Sequence, residues 1–239
     1  MNWYRKNWYF VGGVLFVIMA YIVGIFGEAI DPVRRLNILL FMSLVLHEFE
    51  EYVLPGGFGV ALNLGMFGEQ ALADRYPGNT NNCLIVNVFC VYPLYLLAIL
   101  LPQWHVLGLL LAYFGMTQIM VHGFIINKKL HTFYNPGLAT TVFIFIPLGI
   151  YYIYYTAAHF LLPTWQWVAS VVALPIMGML TVMLPIQLGK DKNTHYVFPK
   201  RDIGHFAVKN AMAYNHKWSS EEEQRYEQVL PIPQTGQQQ

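Results

Sequence analysis

The stretch "LNILLFMSLVLHEFEEY", residues 36–52, decides the fold. Its first eleven residues, 36–46, are those of a membrane interior, and they run without a break into His47, Glu48, Glu50 and Glu51. An apolar segment that continues to about twenty residues is a transmembrane helix. One ionisable side chain at a bilayer centre costs about 2.5–3.5 kcal/mol on insertion scales, and less near the interface. Four of them in five positions demand a reason.

Outward from this stretch the chain repeats the apolar theme. Segments near 8–27, 36–54, 83–101, 106–126, 138–162 and 165–188 are each long and apolar enough to cross a bilayer. Only 11% of the 239 residues are charged, against about 25% in a soluble domain. The expected fold is therefore all-α: a polytopic membrane helix bundle of about six transmembrane helices over residues 1–189. A short, partly disordered cytoplasmic tail over 190–239 is expected to follow.

With the N-terminus inside, six spans put twelve of the fourteen Lys and Arg on the inner side and leave only Arg34 and Arg35 outside. That bias sets the expected orientation: integral, multi-pass, with both termini cytoplasmic. The near-neutral formal charge of +1 gives no sign of a nucleic-acid partner. Cys83 and Cys90 lie too far apart along one helix to pair. Trp3, Trp8, Trp104, Trp165 and Trp167 are expected at the interfaces, and Tyr151, Tyr152, Tyr154 and Tyr155 as an outer aromatic girdle. The long loop 55–82 has room for a short interfacial helix over 60–72.

Successive residues on a helix advance about 100°, so His47, Glu50 and Glu51 share a face while Glu48 points elsewhere. Carboxylates this close repel one another unless protonated or held by a cation. The His and carboxylate one turn apart resemble the ligand pairs of carboxylate-bridged bundles. The topology brings His122 to the same level, one turn from Gln118, with His131, Tyr134 and Asn135 in the following loop and Asn87 on the facing helix. The expected site has His47, Glu50, Glu51, His122 and His131 as ligands of a divalent transition metal, zinc or iron. Glu50 and Glu51 would also be catalytic, and Asn87, Gln118, Tyr134 and Asn135 would contact substrate.

"HEFEE" fits His-x-x-Glu-Glu on His47, Glu50 and Glu51, and with the His122 helix and the "YNPG" turn at Tyr134 to Gly137 the chain resembles the HXXEE family of integral-membrane proteins. The resemblance covers about residues 37–160 and implies a membrane protein of unknown function, with no reaction attached. The residues themselves favour a metal-dependent enzyme, a hydrolase or isomerase, acting on a lipid or other hydrophobic substrate from the cytoplasmic side. The alternatives are a metal-free acid–base enzyme that modifies or cyclises a lipid, and an ion- or proton-coupled transporter.

Overall fold

A computed structural model describes residues 2–199, and the part of the expected tail beyond residue 199 lies outside them. The described residues are helical, without strands. Five helices are long and apolar enough to cross a membrane: α1 (Trp8–Ala29), α4 (Thr80–Leu100), α5 (His105–Leu130), α6 (Leu138–His159) and α7 (Thr164–Gly189). Between the first two of them stand α2 (Pro32–Tyr52) and the short α3 (Phe58–Gly65). The chain thus has the make-up of a multi-pass membrane protein.

Helix α2 is 21 residues long, enough for a span, yet its charged end keeps it out of the apolar five. It is the central helix. Fourteen of its residues are buried, and it packs on α1, α4, α5 and α6. Helices α1 and α7, by contrast, expose most of their apolar surface and form the periphery. Asp31 starts α2 by accepting the Arg34 backbone N–H, with Pro32 in the first turn. Asn79 starts α4 in the same way, accepting from the N–H groups of Asn81 and Asn82.

The helices alternate in direction, so one end of the bundle gathers the start of α1, the end of α2, all of α3, the start of α4 and the end of α7. Arg5 reaches Asn81, Asn79 reaches the Gly189 carbonyl, and Tyr196 accepts from Thr80. Residues 190–199 fold back over this motif-bearing end, the one expected to be inner, where the tip of the buried Phe198 ring lies against Gly59 of α3. Seven of the described Lys and Arg sit at the inner end, and Arg34 and Arg35 at the other.

Four helices widen into π turns: Ile85–Val91, Ile119–Ile125, Thr141–Phe145 and Gly178–Met183. All four lie in the inner half. The first packs on the last, and the second on the third. In the outer half the spacing stays close, and Gly108 leaves no room for a Cβ beside the Tyr152 hydroxyl.

Three expectations change. Tyr152 is fully buried between helices while Tyr151 and Tyr154 are exposed, so only part of that cluster can form a girdle. Trp8 is buried edge-on against Tyr9 and Tyr52, because α1 lies along the motif end of α2. The helix in the long loop ends at Gly65 rather than running to 72, since Met66 closes its last backbone bond and Gly68 has a left-handed φ of 69°.

Candidate functional site

Two adjacent turns of α2 deliver four ionisable side chains into the packed interior. His47, Glu48, Glu50 and Glu51 are all buried, because at this level neighbouring helices cover α2 on all but the side of Leu46 and Phe49. No water face remains for the charges, so each needs a partner inside the bundle.

Glu51 and His47 stand one turn apart, with His47 Nε2 3.4 Å from Glu51 Oε1. His122, from the π turn of α5, brings its Nε2 to 3.4 Å from the same oxygen. The two imidazoles meet edge to face, with ring centroids 4.9 Å apart. Ligand atoms of His47, Glu51 and His122 all lie within 4.8 Å of one another.

The protons on these rings are assigned by the hydrogen-bond network. The Asn135 amide nitrogen donates to the His122 carbonyl at 2.6 Å and to Asn127 Oδ1 at 2.7 Å. Its oxygen therefore faces His122 Nδ1 at 2.8 Å and accepts a proton from it. Thr140 spends its one hydroxyl proton on Glu50 Oε2 at 2.5 Å, so it accepts from His47 Nδ1 at 2.8 Å. With the rings neutral, both Nε2 atoms carry lone pairs aimed at one carboxylate oxygen. His122 Nε2 is buried without a hydrogen bond.

The turn between α5 and α6 is the cradle. Asn135 holds the His122 ring, and Gly137 makes room for it: a Cβ there would lie 2.3 Å from His122 Cε1. Gly137 also has a φ of 103°, which favours glycine. Tyr134 donates to Glu50 at 2.7 Å. Burial and the Glu50 carboxylate push the Tyr134 hydroxyl up from its ordinary value, so it keeps its proton.

Glu50 is not brought into the cluster. Its two oxygens take four donors: Tyr134 Oη, the backbone N–H of Ala139, and the N–H and hydroxyl of Thr140. A carboxylate from α2 thereby caps the first turn of α6 and fixes the threonine that orients His47. His131 is not brought in either. It is exposed in a left-handed conformation at the end of α5, because the backbone turns away there toward the cradle.

A cavity of about 120 Å³ begins at His47 and Glu51 and extends between α2, α3, α4, α5 and α7. Asn87 and Gln118 line it, and most of its remaining wall is apolar. Tyr134 and Asn135, expected beside them, are absent from its wall, since the first is spent on Glu50 and the second on His122. Glu48, expected to point away from the motif face, lines the cavity as well. One of its oxygens accepts from Tyr92 on α4 and the other has no hydrogen-bond partner. The sequence signal for it was the lack of any water face on a helix polar at only one end.

Residues 38–152 match the family described as "Protein of unknown function with HXXEE motif". No curated protein and no solved structure matches the chain.

Proposed function

We propose a membrane-embedded metal-dependent enzyme acting on a lipid or other hydrophobic substrate: residues 38–152 match the HXXEE family, whose description assigns no reaction, so the chemistry has to come from the site. His47 Nε2, His122 Nε2 and a Glu51 oxygen would hold one divalent transition metal. The observation that carries this is the convergence of three lone pairs with both Nδ1 atoms already donating elsewhere. Metal-bound histidines are oriented by such partners on the far ring nitrogen.

The distances bear on the alternatives. A histidinium–carboxylate pair would close to about 2.7–2.9 Å. Both histidine–carboxylate separations are 3.4 Å, and all three ligand atoms lie within 4.8 Å of one another, which supports a metal between them over a bare ion pair. Histidines with a carboxylate are the ligand set of catalytic zinc, the metal proposed.

A two-histidine, one-carboxylate zinc with an open position can activate water or polarise a carbonyl. Gln118 and Asn87 would offer their amides to the substrate's polar group, and Glu48 is the further buried carboxylate in the same cavity. Hydrolysis or isomerisation fits this set. Elemental analysis of detergent-purified protein is expected to give about one zinc per chain, lost in a His47→Ala/Glu51→Gln variant. Background metal unchanged by the substitutions overturns the centre, and iron at one per chain overturns the choice of zinc.

The same reading makes α2 a sixth span and puts the inner end, with the site and both termini, in the cytoplasm. Support comes from the seven-to-two distribution of described Lys and Arg between the ends. Reporter fusions at Met1 and Gln239 should both report cytoplasm, and an external C-terminus would reverse it.

A further inference from the structure

Helices α5 and α7 pack closely along their outer halves, His105–Gln118 against Thr164–Met177. They part where their π turns begin, at Ile119 and Gly178. The α7 turn leans instead on Ile85–Val91 of α4, and below the gap α3 packs on Ile126–Leu130. A crevice is left between α5 and α7, closed above, closed below and closed on the α4 side. Gln118 and Val121 on one lip and Val182 and Met183 on the other line the cavity and are partly exposed. The outward neighbours Met120, Phe124, Met179 and Leu180 are exposed and apolar, as surfaces facing lipid chains are.

At the charged end the described residues cover the cavity with apolar side chains. Phe58 and Leu62 of α3 floor the cavity. Phe198 lies on Gly59 behind them, and its backbone N–H donates to the Asp74 carbonyl at 2.9 Å. Water-soluble molecules would meet this apolar floor and the strap over it.

We propose that the substrate is dissolved in the bilayer and reaches the cavity sideways, through the crevice between α5 and α7. This deepens the metal-enzyme reading, on which its catalytic meaning rests, and it names the class: an amphiphile whose polar group enters first to meet Gln118 and the His47–Glu51 end while its chain stays in the crevice. An apolar mouth keeps the chain of such a molecule out of water, and the dehydration cost of its polar group is offset at Gln118 and Glu51, whereas moving a charged solute across it costs far more.

Cys83, buried on the cavity wall, reports the route without any metal. In a Cys90→Ser background in phosphatidylcholine nanodiscs, a long-chain alkyl maleimide should label Cys83, while a sulfonated, membrane-impermeant maleimide should not. Met183→Trp should slow the alkyl reaction by an order of magnitude, Met183→Ala should quicken it, and Phe198→Ala should leave it unchanged. Labelling by the sulfonated reagent at a comparable rate, or a rate set by Phe198 rather than Met183, overturns the lateral route. So does failure of both reagents. Metal content is measured separately, so loss of the metal reading and loss of the lateral route are distinct results.

Discussion

Glu50→Ala is expected to lower the stability of the folded bundle by about 3–5 kcal/mol, a larger loss than either neighbouring ligand would cause. Hydrogen bonds to a charged group contribute about 1.5–3 kcal/mol each. Four donors converge on this carboxylate, from Tyr134, Ala139 and Thr140. Full additivity would overstate the loss, because Tyr134 and Thr140 are only partly buried and water can refill some of the space. Glu50→Gln should lose less, since it keeps the shape and one acceptor oxygen. Unfolding in mixed micelles with increasing SDS measures both. A change below about 0.5 kcal/mol, the range of ordinary surface substitutions, would mean that the α2–α6 brace does not hold the fold.

His122→Ala should weaken zinc affinity by about a thousandfold. Zinc binding to protein sites is worth about 10–16 kcal/mol, so one of three protein ligands carries several of these. Asn135→Ala leaves every ligand in place but frees the His122 ring from the amide that fixes its tautomer. Its expected loss is smaller, about 10–100-fold, as for other partners of metal-bound histidines. Competition against a chelator of known affinity gives both values. An Asn135→Ala protein that binds zinc as the wild type does would show that the ring needs no support. Equal losses in the two variants would show that Asn135 acts by holding the whole turn.

The helical, membrane-length character of the chain could be read directly from its apolar runs, because length and composition alone decide it. So could the nearness of His122 to His47, since alternating spans carry residues 75 positions apart to one end of a bundle. The division of labour inside the motif could not. A helical wheel puts Glu50 and Glu51 on one face, yet each meets a different neighbour, and only the α6 start explains why one is a brace and the other faces His122. Thr140 gave no signal, being one of two adjacent threonines, Thr140 and Thr141, at the start of an apolar run. Asn135 looked like a turn residue with an amide to offer a substrate, and it is consumed inside the protein. Glu48 does point away from the motif face, toward Tyr92 of α4, and what the wheel could not give is that the cavity reaches round to it. The π turns are invisible to a periodicity that assumes 3.6 residues throughout.

Those wide turns give the molecule an uneven stiffness. An α-helix resists bending through its regular ladder of backbone bonds, and a π turn interrupts that ladder. Four of the helices carry the interruption in one layer, while the outer half keeps close contacts such as Gly108 against Tyr152. The protein is built like a rigid collar above a compliant waist. Strain imposed by something entering the cavity would be taken up first in that waist, beside His122 and Asn87.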